Sequence, residues 1–230
     1  TFDSSTANAA ATVRTASGTG ANSTTATNNR TLTLSGAGST AGLVVGMRVT
    51  GTNIPAGTTI ASILSGTTVE LSQPATGGAT NTTVTFGSTL TLTGNISSTI
   101  GTANVTPIFT AATNGMLNLG STNHDITTTS TANAPLALVM PTMIGTTAGI
   151  TKLGNGGLRL DGVNYYTGAT AVNDGTLFLG ATNTIPYAST YTMAGTSRLD
   201  LNNFDQILSQ LSGAGDITNS SGTGRTLTFG

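Results

Sequence analysis

The stretch that decides the fold is ITKLGNGGLRLDGVNYYTGATAVNDGTLFLG, residues 150–180. It holds two short alternating apolar segments, LRL at 158–160 and TLFL at 176–179, with turns rich in Gly, Asn and Asp around them. Each segment predicts a strand that carries its leucines on one face. Their separation of roughly 20 residues is the period of a solenoid, whose coils stack and bury one continuous apolar column.

Segments of the same kind lie on both sides of this stretch. They are TLTL at 31–34, TLTL at 89–92, MLNL at 116–119, LALV at 136–139, LDL at 199–201 and TLTF at 226–229. From Leu119 onward they start about every 20 residues, which favours a parallel solenoid, although a meander of hairpins would have similar turns between its strands. We expect the interior stack to include Leu158, Leu160, Leu177, Leu179, Leu199 and Leu201.

The composition favours β-structure and excludes several classes of protein. Charged residues make up 7% of the 230 residues, against about 25% in an ordinary soluble domain, and Lys152 and Glu70 are the only lysine and glutamate. Solvated helix faces need such residues, so a helical protein is excluded. A net charge of −1 without a basic stripe argues against nucleic acid or an anionic membrane surface as partner. The lack of Cys excludes disulfides, thiol catalysis and Cys-ligated zinc.

The chain divides into three parts that differ in composition and in the spacing of their strand signals. Residues 1–30 are rich in Thr, Ala, Asn and Ser and are expected to form an extended N-terminal segment, either an outer strand or flexible. Residues 31–87 combine a first strand with a small β module over 42–86, whose closely spaced strands at 48–50, 58–63 and 68–72 suit a small barrel or sandwich inserted into one coil. Residues 88–230 are expected to form the solenoid.

One segment is ambiguous between helix and strand. Phe204, Ile207, Leu208 and Leu211 have helical spacing, but the flanking Asn and Gly residues leave room for barely two turns. We therefore expect a strand with Ile207 and Leu211 pointing inward.

Residues 150–180 resemble the autotransporter-associated β-strand repeat of passenger domains in bacterial type V secreted proteins, and residues 199–218 are similar to the segment that often trails it. The positions that match are Lys152, Gly154, Gly156, Leu158, Leu160, Gly162, Asn164, Tyr166, Gly168, Thr170, Asn173, Gly175 and Leu177. The resemblance implies an all-β, right-handed parallel β-helix on the outside of a bacterium. The 42–86 module also resembles small domains that recur in very large bacterial surface proteins.

The candidates for chemistry each have a simpler structural interpretation. His124 and Asp125 are adjacent, so on a strand they would point to opposite faces, and an exposed turn is the favoured interpretation. A polysaccharide hydrolase would need clustered carboxylates, but the aspartates lie in or beside Gly/Asn turns, where Asx hydrogen bonds are expected. These aspartates are Asp161, Asp174, Asp200, Asp205 and Asp216.

Calcium and sugar sites are the remaining candidates. Turn Asp and Asn could supply oxygen ligands to calcium, but GNGGLRLDG at 154–162 does not match the repeat of calcium-binding coils. Tyr165, Tyr166, Tyr187 and Tyr191 could form a sugar-binding patch, yet Tyr166 matches the repeat and is more simply a structural stacking residue. No catalytic, cofactor-binding or metal site is therefore predicted, and no cofactor.

The function expected from the sequence is a non-catalytic, extracellular structural or adhesive β-solenoid at a bacterial cell surface. The alternative is a β-helical domain that binds or degrades polysaccharide, like those of phage tailspikes. Self-association, a surface glycan or host matrix are the expected partners, with no membrane span. The chain starts at Thr1 and ends in a strand signal at 225–230, so we expect either a piece cut from a longer repetitive chain or subunits that join head to tail.

Overall fold

The structure is a computed structural model that describes residues 12–14, 20–34, 40–100, 106, 108, 115–130, 136–140, 143–144 and 147–230. Every regular element among them is a strand. In chain order the strands are β1 Thr12–Arg14, β2 Gly20–Thr25, β3 Thr31–Thr33, β4 Val49–Gly51, β5 Ile60–Ile63, β6 Thr68–Leu71, β7 Ala79–Phe86, β8 Thr89–Thr91, β9 Ile96–Ile100, β10 Met116–Asn118, β11 His124–Ser130, β12 Leu136–Met140, β13 Met143–Ile144, β14 Ile150–Leu153, β15 Gly157–Leu160, β16 Thr170–Val172, β17 Gly175–Leu179, β18 Thr190–Met193, β19 Ser197–Asp200, β20 Gln206–Leu208, β21 Gln210–Gly213, β22 Asp216–Thr218 and β23 Leu227–Phe229. All eight apolar segments recognised in the sequence contribute to strands.

The chain forms two compact units, and the smaller one lies chiefly within residues 13–90. It is a six-stranded sheet in the order β4-β7-β2-β3-β6-β5, antiparallel throughout. A bridge between Arg48 and Thr59 joins its two ends, because the Val49 amide donates to Thr58 O and the Ile60 amide to Met47 O, both at 2.9 Å. The sheet therefore closes on itself, as the closely spaced strand signals of 42–86 suggested.

Strand β2 extends the small unit beyond the predicted module. It pairs with β3 and β7, so part of the expected N-terminal segment 1–30 belongs to this closed sheet. Residues 1–11 of that segment lie outside the described residues. The insertion of the module into a coil stays a prediction.

The larger unit is a parallel β-solenoid, which confirms the predicted fold class. One sheet has the order β21-β18-β16-β14-β11-β9 and a second has β12-β15-β17-β19-β22, and every strand pair in both is parallel. Consecutive members of each sheet come from consecutive coils. From Ile150 to Thr170 and on to Tyr191, paired residues recur at the predicted spacing of about 20 residues.

The interior of the solenoid is a column of leucines in register. Leu138, Leu158, Leu177, Leu199 and Ile217 occupy equivalent positions on the five strands of the second sheet. The first four side chains are fully buried, whereas Ile217 is 43% exposed. Each buried leucine contributes about 1.5 to 3 kcal/mol relative to an exposed one. All six leucines expected in the interior are buried, which confirms that prediction.

The segment 204–211 is a pair of short strands, β20 and β21, as expected. The prediction that Ile207 points inward is wrong, whereas Leu211 does take an inward position, in register with the buried Tyr191. Leu208 is fully buried, whereas Ile207 is 45% exposed and Leu211 lies between the two extremes. Ile207 points outward because Gln206 and Leu208, its neighbours on the alternating strand, both take inward positions.

The third side of the solenoid consists of short strands and the loops between them. Here β10 pairs with β13 and β20 pairs with β23, all in parallel, and residues 161–168 and 180–189 form loops. Two buried side-chain amides, of Asn164 and Gln206, lie behind these loops. This side carries the candidate site.

Candidate functional site

His124 begins β11 and is buried at 2% exposure, so the prediction of an exposed turn is wrong. Its Nε2 lies 2.9 Å from Leu119 O. The polar residues Ser-Thr-Asn before His124 are typical of a turn, which made the sequence signal misleading. In the structure, residue 124 pairs with Ile150 and shares its inward position. Asp125 faces the opposite side of the strand, and its backbone N–H donates to Asn95 Oδ1 at 2.9 Å. The two side chains therefore do not form a base and its orienting carboxylate.

Some of the aspartates accept hydrogen bonds from backbone amides, as expected of turn residues, and the others pair with arginine. Asp174 Oδ1 accepts from the Gly175 amide at 2.8 Å, and Asp200 Oδ1 accepts from two backbone amides at 2.9 and 3.0 Å. Asp205 accepts from the Thr226 amide in the same way. The other two pair with arginines, Asp161 with Arg159 at 2.7 Å and Asp216 with Arg198 at 3.8 Å. Within the described ranges, no group of three or more His, Cys, Asp or Glu side chains is placed to hold a metal ion.

Lys152 lies in the interior, and its position could not be anticipated from residue type. The side chain is fully buried between Ile126 and Val172, its register partners on the first sheet. Its Nζ donates to Leu153 O at 2.9 Å, to Gly154 O at 2.5 Å and, in the next coil, to Asp174 O at 3.0 Å. Burial lowers the pKa of Lys152 to about 8, and the Asp174 charge opposes that shift. The ammonium thus ties two coils together through their turn carbonyls.

Two of the four tyrosines are interior, which confirms the structural interpretation of Tyr166. The Tyr166 hydroxyl lies 2.7 Å from Thr170 Oγ1, which in turn lies 2.9 Å from Ser189 Oγ. Tyr191 is also fully buried, but its hydroxyl has no hydrogen-bond partner among the residues that the structure describes. Burial raises the pKa of both phenols well above the ordinary range.

The remaining two tyrosines lie at a groove of about 550 Å³ on the third side. Its large exposed apolar side chains come from three successive coils: Val163 at 41%, Tyr187 at 58% and Ile207 at 45%. Tyr165 is half-buried beside them. All the lining residues are uncharged. The groove is the candidate functional site of this unit.

Buried amides hold the backbone that forms the groove. Asn164 Oδ1 accepts from the Met143 amide at 2.6 Å, and its Nδ2 donates to Thr184 O at 2.8 Å. Two coils further on, Gln206 Oε1 accepts from the Ile185 amide of the intervening coil at 3.0 Å and Nε2 donates to Ile185 O at 2.9 Å. Because each amide satisfies backbone groups of a neighbouring coil, the loops are fixed although they are not in a ladder. The groove is therefore preformed.

Sequence reasoning included Tyr165 and Tyr187 in a possible patch but missed Val163 and Ile207. Val163 lies 24 residues before Tyr187 and outside any local apolar pattern, whereas Ile207 lies 20 residues after it and belongs to the 204–211 pattern, which predicts an inward position for it. Only the coil period could have shown that these three positions lie on one side. The Asn164 position was found through the repeat motif, whereas Gln206 carried no signal.

Comparison with protein-family models found no match, and comparisons with curated proteins and with solved structures found none either. The resemblance of residues 150–180 to the autotransporter repeat therefore stays a prediction. Within the described part of the chain, no helix has the length and hydropathy needed to cross a membrane.

Proposed function

We propose that the protein is a non-catalytic structural element of a bacterial surface fibre or autotransporter-like passenger. The observation that carries this proposal is the in-register column from Leu138 to Ile217. Each coil uses its neighbour as a hydrophobic partner, so the unit grows along one axis by adding coils. Such growth suits a stalk, a fibre or the scaffold of an adhesin.

The extracellular location at a bacterial cell surface rests on the resemblance of residues 150–180 to passenger repeats. The composition supports it. Outward positions of the sheets carry Thr and Ser, such as Thr151 on β14 and Thr192 on β18, in place of the charged side chains of an ordinary soluble domain.

Self-association through the last described coil is part of the proposal. Strands β21, β22 and β23 are outermost in their sheets, and none of the strands that the structure describes pairs with their outer edges, which can therefore accept another strand. Ile217 continues the leucine column at this edge, and Phe229 on β23 is 61% exposed. A second copy of the chain would extend both the ladders and the column, in a head-to-tail contact that propagates.

Sedimentation velocity of the 230-residue chain over a concentration series tests this association. We expect species larger than the monomer, and Ile217→Asp should abolish them because it places a charge at the end of the column. Ile217 is partly exposed, so this variant should still fold, which circular dichroism checks. Thr192→Asp adds the same charge at an outward position on β18 and should leave the association unchanged. A wild-type chain that stays monomeric at high concentration would exclude the head-to-tail proposal.

The non-catalytic part of the proposal has its own test. The chain is incubated with bacterial surface polysaccharides, and newly formed reducing ends are measured against a heat-inactivated sample. We expect no release. Release above that background would favour the polysaccharide-degrading alternative and would overturn the structural role as the sole function.

A further inference from the structure

The groove on the third side, defined by Val163, Tyr165, Tyr187 and Ile207, has the features of a ligand site. Its volume of about 550 Å³ lies within the roughly 300 to 1,000 Å³ typical of small-ligand sites. The amides of Asn164 and Gln206 fix its backbone from behind. Binding to a preformed groove costs little ordering of the protein, which favours affinity even for a small contact.

The size of the exposed surface argues against a second protein as the occupant. A stable protein interface needs about 800 Å² from each partner, with some 20 to 30 residues a side. The exposed apolar part of the groove consists of four side chains, Val163, Tyr187, Ala188 and Ile207. A short linear ligand matches this area, whereas a second copy of the chain would need a much larger one.

The charge of the groove limits the ligand further. None of its lining residues carries a charge, so a ligand with carboxylate, sulfate or phosphate groups would lose hydration without gaining a counter-charge. The exposed Tyr187 ring offers an apolar face with a polar hydroxyl at its tip. Sugars present the matching surfaces, since a pyranose ring has an apolar C–H face and hydroxyl groups at its edge.

We propose that this groove binds a neutral polysaccharide, with Tyr187 as the stacking platform and Tyr165 beside it. The walls come from three successive coils about 4.8 Å apart, so a chain of linked sugars would lie along the direction in which the coils stack. This inference goes beyond the structural role and is independent of the head-to-tail contact, because the groove does not include the outer edge of the last described coil.

The test uses ligand-detected NMR and calorimetric titration of the 230-residue chain with neutral hexasaccharides of glucose, xylose and N-acetylglucosamine, and with hexagalacturonate as the charged comparison. We expect at least one neutral hexasaccharide to bind and hexagalacturonate not to. Tyr187→Ala should weaken binding about 3- to 10-fold, the equivalent of one aromatic stacking contact. Tyr187→Phe should retain most of the affinity, because it keeps the ring.

Phe178→Ala is the matched control, since Phe178 is an aromatic residue at an outward, half-exposed position of β17, outside both the groove and the last coil. It should leave hexasaccharide binding unchanged. The proposal is overturned if no neutral hexasaccharide binds at millimolar concentration, if hexagalacturonate binds equally well, or if Phe178→Ala weakens binding as much as Tyr187→Ala. It is also overturned if Tyr187→Ala dissociates an oligomer in sedimentation, because the groove would then be occupied by a second copy.

Discussion

Tyr191→Phe is expected to stabilise the solenoid, although the substitution removes a polar group from a packed interior. The Tyr191 hydroxyl is fully buried and has no partner within the described residues, so folding removes it from water without a replacement hydrogen bond. An unsatisfied buried group of this kind costs about 1 to 3 kcal/mol. Phe keeps the ring and its contacts, so we expect the free energy of unfolding to rise by about 1 kcal/mol.

Tyr166→Phe is the matched substitution and should have the opposite sign. Its hydroxyl lies 2.7 Å from Thr170 Oγ1 and belongs to the chain of hydroxyls that continues to Ser189. Removing it deletes one buried hydrogen bond, which costs about 1 kcal/mol. The two variants lose the same atom from neighbouring interior positions, so the difference between them isolates the effect of the partner.

Thermal unfolding followed by circular dichroism measures both variants. For a protein of this length, 1 kcal/mol corresponds to a shift in Tm of about 2 to 4 °C. We expect Tyr191→Phe to raise the Tm by that amount and Tyr166→Phe to lower it. If Tyr191→Phe lowered the Tm as much as Tyr166→Phe, the hydroxyl would have a partner, and the packing described for this coil would be wrong.

Three further substitutions test other parts of the solenoid. Leu177→Asp should cost several kcal/mol in chemical denaturation, because it leaves an unpaired charge in a dry column; an unchanged midpoint for both Leu177→Asp and Leu160→Asp would contradict the parallel stacking. Gly175→Ala should also destabilise the solenoid strongly, because Gly175 has φ +68° and a Cβ there would lie 2.5 Å from Gly156 O. The control Gly195→Ala should be tolerated, because Gly195 has open space around it. Equal Tm shifts for the two variants would refute this. Between about pH 8 and pH 10 the free energy of unfolding should rise with pH, because the pKa of Lys152 is lower in the folded chain than its ordinary 10.5, so that the unfolded chain binds more protons in this pH range. Lys152→Met should remove that rise. If the rise survives in the variant, other groups cause it.

The sequence was sufficient to predict the leucine column. Leu158 and Leu177 lie in alternating segments one coil apart, and burying such a repeat requires that the coils stack. The strands of the small unit were also recognisable, because they are short and joined by Gly and Pro turns, although their pattern fits a barrel and a sandwich equally well. In both cases the signal is local and repeats along the chain.

The interior polar residues could not be predicted in the same way. Lys152 and His124 are residue types that are usually exposed, and their burial depends on carbonyls that only the folded coil brings near them. The groove was missed for a related reason. Val163 is an isolated apolar residue in the sequence and Ile207 belongs to a pattern that predicts an inward position, and both become neighbours of Tyr187 only through the stacking of coils.

The register of the leucine column bears on how a gene for such a protein can change. Leu158, Leu177 and Leu199 occupy equivalent positions, and the residues from each of them to the next make one complete coil. If recombination deletes or repeats the segment from one of these leucines to the next, the following leucine takes the same place in the column. The junction between the two coils then buries the same types of side chain as before. Unequal crossing-over can therefore lengthen or shorten the solenoid one coil at a time, and no new core has to evolve at each step.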